Sequence, residues 1–169
     1  CEAQKTCTAS FTVQSSPVVL TCPNNVTENA CQSQAQIDSK FASWLTTVST
    51  SGGCSSVLTN NNNGAPNHCG GTASVTFTVT SNCESPKTCV ATFTVSNATA
   101  VVLNCPSNTT EASCQTQSAI NTKFNNWLAT ANFSGGCNGV LTNSGGTAPD
   151  HCGGSTSVTF TVTSDCEAP

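Results

Sequence analysis

The chain has 169 residues, of which 13 are cysteine and only 7% are charged, and its formal net charge is −4 at pH 7. This weak negative charge leaves no basic surface for nucleic acid, and no apolar run approaches the roughly 18–20 residues of a membrane span. We therefore expect neither nucleic-acid binding nor membrane insertion. The many cysteines indicate disulfide-bonded extracellular domains, so we expect an extracellular, cell-surface location.

One sequence unit occurs twice. The blocks IDSKFASWL and INTKFNNWL correspond, and SGGC and HCGG each recur, with an offset of 83 residues from Cys22 onward and of 82 before it. A unit of this length is a small domain rather than a solenoid turn. We predict three parts: residues 1–16 complete a preceding repeat, residues 17–99 form a full repeat, and residues 100–169 form a second repeat that lacks its last strand. The phase of the repeat and the odd cysteine count lead us to expect a segment of a longer array.

Each repeat begins with an apolar strand and continues into a helix. In PVVLTCP, Val18, Leu20 and Cys22 fall on one face of a strand. From Gln34 to Val48, apolar residues recur with a helical period, and Ser33 and its counterpart Thr116 are suitable N-caps. We predict that Trp44 and Trp127 lie in the core, since both belong to this apolar stripe.

The segment Thr72–Asn97 predicts a β-hairpin, because apolar and polar residues alternate on both sides of a polar turn. The second strand of this hairpin recurs at Cys7–Gln14, and the first recurs at Thr156–Pro169. We therefore expect an exposed strand edge in the second repeat unless a neighbour covers it. The fold class predicted is mostly β: tandem two-sheet sandwiches, each with one short amphipathic helix and several disulfides. The short linker Ser96–Ala100 favours a rod, in which neighbouring repeats are each other's partners.

Several motifs resemble a known family. The Cys-Pro pairs after an apolar strand (Cys22-Pro23 and Cys105-Pro106) and the TCxAxFTV strand around Cys89 resemble the hyalin repeat. With the blocks FASWL/FNNWL, SGGC, HCGG and TSDCEAP, the chain is similar to the multi-cysteine tandem repeats of giant surface adhesins in gliding bacteria of the Bacteroidetes group. The resemblance implies immunoglobulin-like sandwiches used in adhesion, export by the type IX system and a role in gliding motility.

Two disulfide maps remain open. The hairpin supports a bond between Cys83 and Cys89, which flank its turn. It leads to a sequential map, which we favour: Cys1–Cys7, Cys22–Cys31, Cys54–Cys69, Cys83–Cys89, Cys105–Cys114, Cys137–Cys152, and Cys166 with a cysteine outside the segment. The resemblance implies instead Cys22–Cys89 and Cys31–Cys54. That map leaves Cys69 and Cys83 to find partners elsewhere, such as in adjacent domains.

The chemistry of a catalytic or metal site is weakly represented. His68-Cys69 and His151-Cys152 lack the spacing of zinc motifs, and Asp150-His151 has no nucleophile elbow nearby, so we expect no enzyme and no metal site. Calcium takes 6–8 oxygen ligands. Recurrent glutamates could hold a structural calcium at a domain junction, although turn or cap roles also fit them: Glu28, Glu84, Glu111 and Glu167.

Variable loops are the candidates for a binding surface. The segments Asn60–Asn67 and Asn143–Asp150 differ between the repeats, whereas the framework does not. The candidate binding residues are Asn60, Asn61, Asn62, Asn63, Asn67, Asn143 and Asp150. We expect a structural and adhesive segment of a long bacterial surface adhesin or filament. The alternative is a carbohydrate- or surface-binding module whose loops bind surface polysaccharide or abiotic surfaces through multivalency.

Overall fold

A computed structural model describes residues 1–167 of the chain, and its elements follow the sequence repeat. The first repeat contains β1 (Val19–Thr21), β2 (Val26–Glu28), α1 (Gln34–Leu45), β3 (Ser49–Ser51), β4 (Val57–Asn60), β5 (Gly71–Ser81) and β6 (Glu84–Val95). The second contains β7 (Val102–Asn104), α2 (Gln117–Leu128), β8 (Asn132–Ser134), β9 (Val140–Asn143) and β10 (Phe160–Thr163). The chain is mostly β with two helices and four disulfides in its described part, as the sequence predicts. Within residues 1–167, no helix is both long and apolar enough to span a membrane.

The first repeat is built on a four-stranded sheet with the order β2-β6-β5-β4. The predicted hairpin is confirmed as β5 and β6, which pair antiparallel with Phe77 opposite Cys89. Strand β2 pairs with β6 in parallel, and β4 pairs with the outer side of β5. Strands β1 and β3 form a separate two-stranded sheet. The alternating β-branched and aromatic residues of the hairpin place one apolar row on the inner face, where Phe77 and Phe93 are fully buried.

Helix α1 covers this inner face. Ile37, Phe41 and Trp44 are buried on it, so the predicted core position of Trp44 is confirmed. The ring centroid of Phe93 lies 5.4 Å from that of Phe41 and 5.7 Å from that of Trp44, and the Trp44 indole donates a hydrogen bond to the carbonyl of Asn24 at 2.7 Å. Aromatic packing therefore joins the helix to β6.

The caps of both helices are confirmed. The Ser33 hydroxyl accepts a hydrogen bond from the backbone of Gln36, and the Gln36 side chain accepts one from the backbone of Ser33, which completes a capping box. Thr116 caps α2 with its hydroxyl, which accepts a hydrogen bond from the backbone of Ala119. Helix α1 is shorter than the predicted segment from Gln34 to Val48, because it ends at Leu45 with a C-cap at Thr46.

The second repeat keeps the helix and the counterparts of β1, β3, β4 and part of β5, but among residues 1–167 it has no counterpart of β2 or β6. Strand β9 pairs with β10, and β7 pairs with β8. Consequently Phe124, Trp127 and Phe160 are only half-buried, whereas their counterparts in the first repeat are buried. The core position predicted for Trp127 is thus only partly realised.

Candidate functional site: the junction between the repeats

Two disulfides lie within the first repeat, and two join the repeats. Cys22 bonds Cys89, and Cys54 bonds Cys83. The inter-repeat disulfides are Cys31–Cys137, with 4.9 Å between Cα atoms, and Cys69–Cys166, with 5.3 Å. Since both cross the same boundary, the two repeats are covalently joined at two points besides the main chain.

The first repeat presents Cys31 and Cys69 at one end, which we call its trailing end. Cys31 lies just before α1 in a left-handed conformation (φ 66°), and Cys69 lies just before β5. The Gln34 side chain joins the two segments, because its amide donates to the carbonyl of Pro66 and accepts from the backbone of His68. The segments that carry the two cysteines are therefore held together.

The second repeat receives them with Cys137 and Cys166, at what we call its leading end. Cys137 is 1% exposed, and its backbone donates to the Ser164 hydroxyl at 2.9 Å. The backbone of Asp165 donates to the Cys137 carbonyl, which brings the turn containing Cys166 alongside. The counterparts of this pair in the first repeat, Cys54 and Cys83, lie together in the same manner.

The linker is hydrogen-bonded to both repeats. On the first repeat, the backbone of Ser96 donates to the Glu28 carbonyl, and that of Ala98 donates to the Cys69 carbonyl, each at 2.8 Å. On the second repeat, Gly136 donates to the Thr99 carbonyl at 2.9 Å. The backbone of Val101 donates to the Glu167 carboxylate at 3.0 Å. The short linker is therefore held along its length.

The structure overturns most of the sequential disulfide map. The predicted pair Cys137–Cys152 is wrong, because Cys137 bonds Cys31 and Cys152 is unpaired. The predicted pair Cys54–Cys69 is wrong, because Cys54 lies beside Ser81 at the end of β5, whereas Cys69 lies just before the start of that strand. Strand β5 has 11 residues, so its ends lie roughly 35 Å apart at ~3.3 Å per residue. A disulfide allows only about 4.4–6.8 Å between Cα atoms.

The remaining sequential pairs also fail within the described residues. Cys22–Cys31 and Cys83–Cys89 are wrong, because Cys22 and Cys89 both pack against the core and bond each other, while Cys31 and Cys83 lie outside it. The expectation that Cys166 bonds outside the segment is wrong, because it bonds Cys69. Five cysteines are unpaired, so the predicted Cys1–Cys7 and Cys105–Cys114 are not formed: Cys1, Cys7, Cys105, Cys114 and Cys152.

The map implied by the resemblance agrees only in part. Cys22–Cys89 is present, and Cys69 finds its partner in the adjacent repeat. Cys31–Cys54 is wrong, because Cys31 bonds Cys137, the counterpart of Cys54 in the next repeat. The resemblance therefore implied the correct position within the repeat for the partner of Cys31, but the wrong repeat as its source.

The recurrent glutamates contact protein groups. Glu28 pairs with Lys40 at 2.6 Å and Glu111 pairs with Lys123 at 2.5 Å, which lowers the pKa of each carboxyl below its usual value. Glu84 pairs with Lys87 at 3.1 Å and accepts from the backbone of Val18. The Glu28–Lys40 pair ties β2 to α1, and the bond from Val18 to Glu84 fixes the start of the first repeat. The glutamates considered as calcium ligands are therefore already engaged with lysine or backbone groups.

Two groups of potential metal donors occur in the described part. His68 lies beside Cys69 and Cys166, whose sulfur atoms are joined in a disulfide and so supply no thiolate. Asp150, His151 and Cys152 form an exposed group. There, the Asp150 carboxylate accepts a hydrogen bond from the Cys152 backbone, and this bond lowers the pKa of Asp150. The nearby Asp150 carboxylate in turn raises the pKa of the Cys152 thiol.

The predicted binding residues do not meet in one place. Asn61 pairs with Thr76 in the middle of β5, whereas Asn67 lies before that strand, where its side chain accepts from the Cys69 backbone. Other asparagine side chains of these loops likewise accept from nearby backbone: Asn60, Asn62 and Asn143. Asn63 is exposed. Most of these side chains stabilise their own turns.

Comparison of the chain with protein-family models, curated proteins and solved structures returns no match. What sequence reasoning missed is the crossing of two disulfides between repeats. The available signal was the position of Cys69 and Cys83 at opposite ends of one predicted strand, which left each of them to find a partner elsewhere, such as in an adjacent domain.

Proposed function

We propose that the chain is a structural and adhesive segment of a long extracellular bacterial surface protein, in which consecutive repeats form a disulfide-stiffened rod. The observation that carries this proposal is the pair of inter-repeat disulfides, Cys31–Cys137 and Cys69–Cys166. A single covalent link between two domains permits rotation about it. Two such links together with the main-chain linker make three connections, and rotation about any one of them is then restricted.

The position of Cys22–Cys89 supports a mechanical role. This bond connects the residue after β1 with the last strand, β6, across a separation of 67 residues. Tension that enters the first repeat through β1 passes to β6 through the disulfide, so the sheet between them carries little load. Persistent disulfides also support an extracellular location.

The finer architecture belongs to the same proposal. We assign each repeat to the immunoglobulin-like sandwiches, with hyalin-repeat-like sequence, on the strength of the Cys-Pro motifs and of a disulfide that joins the first and last strands. Gliding motility and type IX export follow from the resemblance alone. In such a rod, adhesion requires contact with polysaccharide or with abiotic surfaces, made many times along the array.

Small-angle X-ray scattering tests the rod. The oxidised chain is compared with a variant in which serine replaces the four junction cysteines: Cys31, Cys69, Cys137 and Cys166. The control is Cys54→Ser with Cys83→Ser, which removes a disulfide without touching the junction. We expect one narrow distance distribution for the wild type and the control, and a broadened one for the junction variant. A wild type as broad as the junction variant would refute the rod.

A separate measurement tests adhesion. Beads that carry many copies of the oxidised chain are applied to a panel of glycans and abiotic surfaces. Saturable retention supports an adhesive role for the repeats themselves. No retention at high density would leave the segment with the structural role only.

A further inference from the structure

Two cysteines at the leading end of the second repeat are held next to each other. The backbone of Cys137 and that of Cys166 both donate to the Ser164 hydroxyl, at 2.9 and 3.4 Å. This hydroxyl donates in turn to the Cys137 carbonyl at 3.2 Å, and the same carbonyl accepts from the Asp165 backbone at 3.0 Å. One side chain therefore holds both cysteines together, although each of them bonds to the first repeat.

The first repeat has the same framework, and there the two leading-end cysteines bond each other. The backbone of Cys54 and that of Cys83 donate to the Ser81 hydroxyl, at 2.9 and 3.3 Å. The two cysteines form a disulfide with 5.7 Å between their Cα atoms, within the range of about 4.4–6.8 Å that such a bond allows. The framework is therefore compatible both with a bond between its own two cysteines and with two bonds to a neighbouring repeat.

We propose that the junction opens by disulfide exchange: a single two-electron reduction breaks both inter-repeat disulfides and leaves a bond between Cys137 and Cys166. The reductant is a small thiol, for which glutathione serves as the probe. The exchange rests on the proposed function, because it starts from the two disulfides that make the junction rigid. It involves only the four cysteines of the junction, so it is independent of any residues that precede residue 1 or follow residue 169.

The first step is attack on the exposed member of one disulfide. Cys31 lies at the surface, whereas its partner Cys137 is 1% exposed. Thiol exchange depends on access to the sulfur that is attacked. The glutathione thiolate therefore attacks the Cys31 sulfur, forms a mixed disulfide there and releases the Cys137 thiolate.

The released thiolate has the second disulfide beside it. The Cys137 thiolate attacks the Cys166 sulfur, forms the Cys137–Cys166 bond and releases the Cys69 thiolate. Because one framework holds Cys137 and Cys166, this attack is intramolecular, and its high effective concentration lets it outpace a second attack by dilute external thiol.

A second glutathione completes the balance. Its thiolate attacks the glutathione sulfur of the mixed disulfide, which frees Cys31 and yields glutathione disulfide. Two glutathione thiols are thereby oxidised, and their two protons end on the thiols of Cys31 and Cys69. The junction loses one disulfide in total, and neither repeat remains linked to the other except through the main chain.

His68 lies against the sulfur that leaves in the exchange step. Its two ring nitrogens are 3.7 and 3.8 Å from the Cys69 sulfur, and its backbone donates to the Gln34 side chain, which fixes the residue at the trailing end. A neutral imidazole carries one N–H, and such a donor bonds more strongly to a thiolate than to an uncharged sulfur. His68 therefore favours departure of the Cys69 thiolate, which gives the His-Cys pair a function.

Tension along the rod favours the exchanged state. The two inter-repeat disulfides carry load between the repeats, whereas a Cys137–Cys166 bond lies within one repeat and carries none of that load. After the exchange, only the linker joins the two repeats, and the second repeat has a disulfide of its own. One reduction thus converts a fixed junction into a hinge.

Differential alkylation of the full 169-residue chain tests the exchange. The unpaired thiols of the oxidised chain are first blocked with N-ethylmaleimide. Reduced glutathione is added in a time course, and each sample is quenched with deuterated N-ethylmaleimide and digested at low pH without reduction. We expect the two inter-repeat peptides to disappear together, a Cys137–Cys166 peptide to replace them, and deuterated label to appear on Cys31 and Cys69.

Matched variants separate the steps. In a chain with Cys69→Ser and Cys166→Ser, the Cys137 thiolate has no second disulfide to attack, so reduction should label Cys137 as well as Cys31. His68→Phe keeps a ring but removes the N–H donor, and it should slow the appearance of the Cys137–Cys166 peptide about 3-fold or more. A rate that this substitution leaves unchanged would remove His68 from the mechanism.

Two results would overturn the exchange. One is label on Cys137 and Cys166 at the same rate as on Cys31 and Cys69, since it would show plain reduction of both bonds. The other is accumulation of a species in which only one inter-repeat bond has opened. Either result leaves the rod intact, because both inter-repeat peptides are present before glutathione is added. Their absence from the oxidised chain would instead refute the rod, and the exchange with it.

Discussion

Reduction should change how far the chain can be stretched. While the Cys31–Cys137 bond is intact, the 106 residues between its two cysteines cannot contribute to the distance between the chain ends. A fully extended residue spans about 3.5 Å, so this bond withholds about 370 Å of length. Reduction of all disulfides should therefore release at least this amount.

Either inter-repeat disulfide should withhold most of this length without the other. The Cys69–Cys166 bond spans 97 residues, which corresponds to about 340 Å. A Cys31→Ser, Cys137→Ser variant should therefore remain almost as inextensible as the wild type. Only loss of both bonds should free the second repeat to unravel.

Single-molecule force spectroscopy measures this length directly. Handles are attached through peptide tags at the two ends of the oxidised chain, and the extension is recorded before and after a reductant is added. Disulfides confined to neighbouring cysteines would withhold little length, so an oxidised chain that stretches almost as far as the reduced one would refute the reasoning.

Three further outcomes are expected. Phe77→Ala should destabilise its repeat by about 3–5 kcal/mol and Phe160→Ala by about 1–2 kcal/mol, because Phe77 is fully buried and Phe160 only half-buried. Guanidinium unfolding, followed by the fluorescence of the single tryptophan of each repeat, compares the two variants. Equal losses of stability would contradict this asymmetry. Gly135→Ala should destabilise the second repeat by about 2 kcal/mol or more in the same assay, since φ is +74° and a Cβ would lie 2.0 Å from a linker carbonyl oxygen; an unchanged midpoint would contradict this contact. Asp150→Asn should lower the pKa of the Cys152 thiol towards its ordinary value and so speed its alkylation severalfold at neutral pH; a rate that does not rise would show that the carboxylate does not control the thiol.

Local structure followed from the sequence because its causes are local. The alternation around Phe77 and Phe93 predicted the hairpin, since a two-residue period suits a strand with one buried face. The helical stripe around Trp44 and the cap at Ser33 were equally readable, because their partners lie within a few residues. These features needed no knowledge of the neighbouring repeat.

The junction could not be read in this way. Cys31 and Cys137 are 106 residues apart, and nothing near either cysteine indicates which copy of the repeat supplies its partner. In a tandem array, a partner at the same sequence position exists in every repeat, so spacing alone cannot choose among them. The half-burial of Phe124 and Trp127 also depends on a distant strand and has no local signal.

The most direct test of the disulfide-stiffened junction is the connectivity of its cysteines. The oxidised chain is digested at low pH without reduction, to prevent exchange, and the cross-linked peptides are identified by mass spectrometry. The structure predicts peptides in which Cys31 is linked to Cys137 and Cys69 is linked to Cys166. Both bonds confined within single repeats would contradict the rod at its central point.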